Sequence, residues 1–351
     1  MRSLWISQLW ILAAVFYDAG GQQPKQDPGG VIKLPGDFSK CLGFTGVRGT
    51  TDGKNFVVAF RLSRSSADKI PNKCVFINSE APASVTLNNP YFKKEIMMDE
   101  GQTAVVPITT NTEPTGSTKT TDTVMIEADT NISIMSQTDG NGCGDFTFIS
   151  PLDNLGMEYY IMAPPNGPMG QSTQIILISL KSKADINLYV TGSVTSNGRK
   201  YSKGETITLN LMPNESFEIR SQENLSGTKV VANQDIAVIA GFTFSQNNAE
   251  SCSHFYGLWP ITSWRTYFLI PGDSIQSEND IVYVMASQNT TITYKSGTGQ
   301  VTMEVGAGKL GQIKPTQFTP LSIQSNHGIQ VLRYGLKPTY ENVAGEASAS
   351  G

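Results

Sequence analysis

Charged residues are scarce in this chain, and basic residues form no cluster. Asp, Glu, Lys and Arg make up 16% of the 351 residues, and the net charge is −4. Binding to nucleic acid through counterion release needs a basic face, so we expect no nucleic-acid partner. The chain is also poor in the Glu, Lys, Ala and Leu mixture of helices and contains 33 Gly and 18 Pro. This composition predicts an all-β protein.

Histidine and cysteine are too few for most catalytic or metal sites. The two histidines are His254 and His327, and a catalytic triad or a histidine-based metal site needs His with fixed partners. His327 falls in an Asn-His-Gly turn, where we expect a solvated side chain. The four cysteines form no Cys-x-x-Cys pair. We therefore predict no catalytic residue, no metal and no cofactor.

A long apolar run occurs at the N-terminus alone. Arg2 precedes the run Leu4–Phe16, and Ala19-Gly20-Gly21 offers small residues for cleavage. This pattern is typical of a secretory signal peptide and is short for a membrane span. We therefore expect a secreted, extracellular protein without a membrane span. Its predicted parts are a signal peptide at 1–21, a Gln-, Pro- and Gly-rich linker at 22–40, a β domain at 41–340 and a flexible tail at 341–351.

Two kinds of modification fit a secreted protein. Asn-x-Ser/Thr acceptors predict glycosylation at Asn131, Asn214, Asn224 and Asn289. An even number of cysteines is compatible with two disulfides in an oxidising compartment. Four cysteines permit three connectivities, and we favour the two pairs Cys143–Cys252 and Cys41–Cys74. The reason is that Cys41, Cys143 and Cys252 occupy equivalent positions in the repeat described next.

Two strand patterns alternate along the chain. Each has β-branched apolar runs on both sides of turn residues, so each predicts a hairpin. The first pattern occurs at 123–136, 228–241 and 321–335. The second occurs at 74–87, 175–190 and 281–294. The residues that match at the start of each second predicted strand are Val85, Ile132, Ile186, Ile236, Ile292 and Ile329.

The two ends of the repeat favour one architecture over another. Residues 41–60 match the tail of a first-pattern unit, and 321–335 match its head. A β-propeller closes its ring by completing the last blade with the N-terminal strand, which hides the sheet edges. We predict a six-bladed β-propeller-like ring with pseudo-threefold two-blade repeats, in which 55–60 pair with 321–335. Tandem β-sandwiches of about 100 residues each are the alternative.

One stretch of the sequence resembles a known family. It contains SGTKVVANQDIAVIAG (226–241), then Cys252-Ser253-His254, and then Trp259-Pro260, Trp264, Tyr267-Phe268 and Pro271. In order and spacing these residues resemble the N-terminal domain of the IgGFc-binding protein family, over most of residues 41–336. The resemblance implies a secreted, non-catalytic binding module that recognises an extracellular glycoprotein. Immunoglobulin Fc and mucin are the expected candidates.

Aromatic residues of the same stretch are the candidate binding residues. Aromatic rings dominate many contact surfaces, so we expect Tyr256 and Trp259, with His254 beside them, to contact the partner. Trp264 and Phe268 are expected to pack in the core, and packing is the alternative role for Tyr256 and Trp259. Two other functions remain open: a glycan-acting propeller hydrolase, which needs paired carboxylates or a metal, and a structural component of mucus or matrix.

Overall fold

The computed structural model describes ten segments of the chain: 51–60, 72–108, 117, 119–140, 143–163, 172–246, 250–272, 280–297, 299–316 and 319–334. All of them lie within one compact unit, Thr50–Gly351. The predicted signal peptide, linker and tail, and Cys41, lie outside the described residues. The described part contains 23 strands and two 3₁₀ turns, which confirms the all-β prediction. None of its helices is long and apolar enough to cross a membrane.

The described strands between Asp52 and Ile149 form a seven-stranded sheet, apart from one short strand. In chain order the strands are β1 (Asp52–Val58), β2 (Asn72–Ser79), β3 (Ala83–Asn89), β4 (Phe92–Met98), β5 (Thr103–Pro107), β6 (Lys119–Thr120), β7 (Val124–Gly140) and β8 (Cys143–Ile149). The short strand is β6, which pairs with a strand of the second sheet. The first sheet therefore comprises the other seven.

The second and third sheets follow in order. The next strands are β9 (Gly156–Tyr160), β10 (Ser172–Ser179), β11 (Ala184–Tyr189), β12 (Val194–Ser196), β13 (Arg199–Tyr201), β14 (Thr206–Leu211), β15 (Ser216–Ser221), β16 (Lys229–Gln246) and β17 (Glu250–Gly257). Strands β12 and β13 form a separate two-stranded ribbon, and the others form the second sheet together with β6. The third contains β18 (Arg265–Ile270), β19 (Ile281–Ala286), β20 (Thr290–Ser296), β21 (Gly299–Val305), β22 (Leu310–Ile313) and β23 (Leu321–Tyr334). The 3₁₀ turns are Leu152–Asn154 and Ile261–Ser263.

One long strand is the centre of each sheet. In the first sheet this is β7, whose first part pairs with β1 and β3 and whose second part pairs with β2 and β8. The outer strands β4 and β5 then pair with β3 and β2. The long strands β16 and β23 pair in the same order with their own neighbours. The three sheets thus share one arrangement, except that the described part of the third sheet contains no counterpart of β8 and β17.

A bulge divides every long strand into its two parts. On β7 the partner of Asn55 is Glu127, whereas the partner of Gly53 is Ile132, so four residues of β7 lie opposite Lys54. A polar side chain in each bulge accepts a hydrogen bond from the backbone of the neighbouring strand. The three bonds are Ser84 N to Asp129 Oδ1 (2.9 Å), Asp185 N to Asn233 Oδ1 (2.8 Å) and Thr291 N to Asn326 Oδ1 (2.9 Å).

The predicted hairpins are wrong, because the residues that favour turns form bulges in continuous strands. The first pattern is one continuous strand in each sheet, because its turn-forming residues bond sideways to the next strand and the chain does not reverse. The second pattern is two strands that both pair with the long strand, as β2 and β3 do with β7. The pairing predicted to close a ring is also wrong. β1 pairs with β7, and β23 pairs with β18, β19 and β20.

Each sheet curls around its own apolar cluster, because inward side chains from both parts of the long strand meet there. In the first sheet Ile126 and Ile134 come from the two parts of β7 and lie in the same buried cluster. The six residues that match across the repeat are all buried. The described strands form three large curled sheets, and a six-bladed ring is not confirmed by this arrangement.

Candidate recognition surface

The aromatic stretch begins where β17 ends and connects the second sheet to the third. Pro260 has an extended backbone (φ −63°, ψ 153°) and precedes the 3₁₀ turn Ile261–Ser263. Ser263 N donates to Pro260 O at 2.8 Å, and Trp264 N donates to Ile261 O at 3.2 Å. We call residues 259–264, together with the glycine they contact, the second joint. That glycine is Gly156, where an added Cβ would lie 2.8 Å from Pro260 Cβ.

An equivalent connection joins the first sheet to the second. Pro151 precedes the 3₁₀ turn Leu152–Asn154 and has nearly the same backbone conformation as Pro260. An added Cβ at Gly53 would collide with Pro151 Cβ. We call residues 150–155 and Gly53 the first joint. The interval between the two prolines is 109 residues, and the same interval separates Cys143 from Cys252.

Trp264 is the anchor of the second joint. Its side chain is 8% exposed, and its Nε1 donates to Trp259 O at 3.0 Å. Its ring centroid lies 6.3 Å from that of Tyr160 on β9. The prediction that Trp264 packs in the core therefore agrees with its position. Phe268 packs, half-buried, against the cluster of the third sheet.

The two predicted binding aromatics lie in or beside the same joint. Tyr256 and Trp259 are half-buried and pack against the cluster that contains Trp264. The Tyr256 hydroxyl donates to Met162 O. The backbone of His254 pairs with Phe242, and its side chain lies outside the described part. Tyr256 and Trp259 therefore both pack against the apolar cluster of the second joint, and the hydrogen bond to Met162 O holds the Tyr256 ring in place.

A buried tyrosine reinforces the second joint. Tyr159 Oη accepts a hydrogen bond from Gly156 N at 2.9 Å and donates one to Ile236 O at 2.7 Å. It therefore connects β9 to β16 across the bulge. Burial raises the pKa of the Tyr159 phenol above its ordinary value, so this tyrosine stays neutral and keeps donating.

Two exposed apolar residues were not predicted. Tyr267 and Leu269 on β18 are 53% and 65% exposed, whereas Phe268 and Ile270 face the core of the third sheet. Alternation with a period of two residues is the signal that locates them, because successive strand side chains point to opposite faces. Aromatic density alone does not separate Tyr267 from its buried neighbours.

Three cysteines belong to strands of the first and second sheets. The backbones of Cys143 and Cys252 belong to β8 and β17. These strands approach each other, since Thr147 Oγ1 donates to Phe255 O at 2.6 Å. Cys74 on β2 is half-buried, and its Sγ donates to Gln137 Oε1 at 3.3 Å. The two predicted disulfide pairings remain predictions.

The predicted glycosylation sites differ in their surroundings. Asn131, Asn224 and Asn289 are exposed. Asn214 has a left-handed backbone (φ 63°), and its buried Oδ1 meets no hydrogen-bond donor among the residues that the structure describes. Attachment of a glycan needs an accessible asparagine side chain, so the first three are the better acceptors.

The buried carboxylates form ion pairs in different sheets. Glu218 on β15 pairs with Arg220, and Asp280 pairs with Arg333 of β23 at 3.0 Å. Burial lowers the pKa of the Arg220 guanidinium. In the described segments no group of three His, Cys, Asp or Glu side chains is arranged to hold a metal ion.

Comparison with known proteins identifies the family. A family profile described as IgGFc binding protein matches residues 145–349. The chain belongs to the IgGFc-binding protein family. One human relative, named IgGFc-binding protein, is 30% identical over 285 residues, which is 80% of this chain and 5% of that protein. The chain therefore spans a small part of its relative. No solved structure matches it.

The region matched by the family profile has a structural meaning. It begins within β8 and includes every strand from β9 to β23, both 3₁₀ turns and the second joint. The aromatic stretch that carries the resemblance in sequence therefore lies inside the part that defines the family. This confirms the family predicted from the sequence.

Proposed function

We propose that this chain is a secreted, non-catalytic binding module that recognises an extracellular glycoprotein. Membership of the IgGFc-binding protein family is the single observation that carries the proposal. The name of the human relative makes immunoglobulin Fc the first partner to test, and mucin is the second candidate. A shared scaffold does not determine a ligand, so the partner must be measured directly.

The second joint supports recognition through Tyr256 and Trp259. Both rings keep part of their surface in solvent, while the Tyr256 hydroxyl is bonded to Met162 O and the backbone of Trp259 accepts a hydrogen bond from Trp264 Nε1. Aromatic side chains that are already ordered lose little conformational entropy when a partner binds. The joint can therefore present two rigid aromatic edges to a protein surface.

For the architecture, we infer three tandem β-sandwiches. In each sheet the two parts of the long strand place their inward side chains in one cluster, as the two layers of a sandwich do. A propeller blade has four strands of its own, whereas each long strand here serves two layers of one sheet. Signal-peptide cleavage after residue 21, the β domain at 41–340 and the two disulfides complete the proposal.

Direct binding measurements test this function. The secreted chain is immobilised and exposed to Fc, to Fab of the same immunoglobulin and to purified mucin. We expect saturable binding of Fc without binding of Fab. Binding of mucin without Fc would identify mucin as the partner in place of Fc. Binding of neither would overturn the proposal. Release of free sugar from mucin over time would overturn the non-catalytic assignment and favour a hydrolase.

A pair of variants tests the surface. Trp259→Ala should weaken Fc binding by about 2 kcal/mol or more if Trp259 is a binding hot spot. Tyr91→Ala is the matched control, because Tyr91 is 61% exposed and lies beside β4 in the first sheet. The thermal midpoint of each variant is measured in parallel. Unchanged affinity with a lowered midpoint would place the recognition surface outside the second joint.

A further inference from the structure

The first and second sheets already pack against each other through their outer faces, meaning the faces turned away from each sheet's own core. Val57 on β1 and Met125 on β7 share a buried cluster with Ile176 and Ile178 on β10 and Ile239 on β16. All five side chains are at most 9% exposed. The half of the first sheet that holds β1 thus covers the half of the second sheet that holds β10.

The second and third sheets repeat this contact. Tyr160 pairs with Lys229 as Val57 pairs with Met125, so Tyr160 occupies the position of Val57. It packs against a cluster that includes Tyr283 and Met285 of the third sheet. The backbone of Gly308 lies so close to Tyr160 that an added Cβ would be 2.8 Å from the ring. Two kinds of face therefore meet twice within the chain. The first kind is the outer face of the strand before the long strand's other partners, β1 or β9, and the second kind is the outer face of β10 or β19 in the sheet that follows.

One face of the first kind has no cover among the described residues. Leu269 pairs with Ser322 at the position that corresponds to Val57 and Tyr160. It is 65% exposed, and Tyr267 on the same face is 53% exposed. We call this outer face of β18 the C-terminal end face. The equivalent residue of the first sheet is 3% exposed.

The first sheet carries a face of the second kind at the other end. Phe76 on β2 pairs with Val105 on β5, at the positions that correspond to Ile176 and Glu218. Val105 is 53% exposed, and Phe148 on β8 is 38% exposed. We call the outer face of β2 and β5 the N-terminal end face. The exposure of both end faces means that they do not cover each other within one chain.

We infer that these two end faces bind each other between two copies of this chain. The occupant of each end face is the opposite end face of a second copy, because faces of these two kinds already form both contacts between sheets. The interface is heterologous, so a dimer keeps one free face of each kind and further copies can add. The exposed apolar residues are few, so the association is weak and depends on concentration.

Sedimentation velocity of the purified full chain over a range of concentrations tests the inference. The wild-type chain should show a mass that rises with concentration. Leu269→Asp or Val105→Asp should each weaken association by about tenfold or more, because each buries an unpaired charge at one end face. Met97→Asp is the matched control, since Met97 on β4 is 79% exposed and belongs to neither end face. It should behave as wild type.

Mixing the two blocked variants gives the decisive readout. Leu269→Asp retains its N-terminal end face and Val105→Asp retains its C-terminal end face, so an equimolar mixture should form a dimer that does not grow. Leu269→Ser and Val105→Ser serve in the same assay if a charged variant lowers the thermal midpoint. A monomeric wild type, a mixture that stays monomeric, or equal loss with Met97→Asp would overturn the inference. None of these outcomes depends on Fc binding.

Discussion

The two joints have the same backbone design and different side chains. Each has a proline, a 3₁₀ turn and a glycine against which the proline packs. At the first joint, Leu155 follows the turn and packs against a small aliphatic cluster between sheets. At the second, Trp264 holds that position and contacts Tyr160. Aliphatic residues suffice for one joint, whereas the other is filled by aromatic rings.

This difference changes how the aromatic stretch is interpreted. A concentration of Trp and Tyr in the sequence predicts a contact surface, and here the contact is first of all between two sheets of the same chain. A partner can use only the ring edges that remain in solvent. The comparison therefore predicts larger stability effects at the second joint than at the first.

The largest effect should come from Trp264→Ala. Trp264 is buried and its removal leaves a cavity beside Tyr160, so we expect a loss of about 3–5 kcal/mol in the free energy of unfolding. Leu155→Ala is the counterpart at the first joint. Leu155 is half-buried, so its loss should be about 2 kcal/mol. Denaturant titration of both variants measures the difference, and equal losses would remove the distinction between the joints.

A disulfide would make the first joint different in another way. β8 and β17 approach each other there, and a bond between Cys143 and Cys252 should contribute about 3–4 kcal/mol, because it restricts the unfolded chain. Cys143→Ser, Cys252→Ser and the double variant should therefore lose the same amount. Additive losses, or alkylation of either thiol in the secreted wild type, would contradict the bond.

The sequence predicts the all-β class, the family and the repeat, because these depend on composition and on matching intervals. It does not separate a bulge from a hairpin turn. Asp129, Asn233 and Asn326 are residues that favour turns, yet each accepts a hydrogen bond from a neighbouring strand that is distant in sequence. The residues next to each bulge in the sequence do not indicate which distant strand will donate that hydrogen bond. The pairing predicted to close the ring is wrong for the same reason, since the partner of β1 is β7.

The candidate site shows a similar division. The position of Trp264 in the core was predictable because a large ring favours burial. The hydrogen bond from the Tyr256 hydroxyl to Met162 O was not, because Met162 follows β9 and lies 94 residues earlier in the sequence. The exposure of Tyr267 follows from strand alternation. That inference requires the start and register of β18, which aromatic content does not supply.

The glycines test whether the two joints share one backbone design. Gly53→Ala and Gly156→Ala should each lose about 1–3 kcal/mol of stability, because the added methyl meets the ring of Pro151 or Pro260. Gly299→Ala is the control. An added Cβ there would lie 3.8 Å from its nearest neighbour, so its stability should change little. A neutral Gly156→Ala would mean that the second joint tolerates a wider gap than the first.

The smallest effects concern one hydroxyl at each connection. Thr147 Oγ1 donates to Phe255 O beside the first joint, and Tyr256 Oη donates to Met162 O beside the second. Tyr256 lies 109 residues after Thr147, which is the interval between the two prolines. Thr147→Val and Tyr256→Phe each remove one hydrogen bond and keep most of the side-chain volume. We expect a loss of about 1 kcal/mol of stability for each, measured by denaturant titration.

Tyr256→Phe should leave Fc affinity unchanged, because the hydroxyl is occupied within the chain and only the ring edge is available to a partner. Weaker Fc binding without a loss of stability would show that the hydroxyl turns to the partner, and the second joint would then differ from the first in function as well as in side chains.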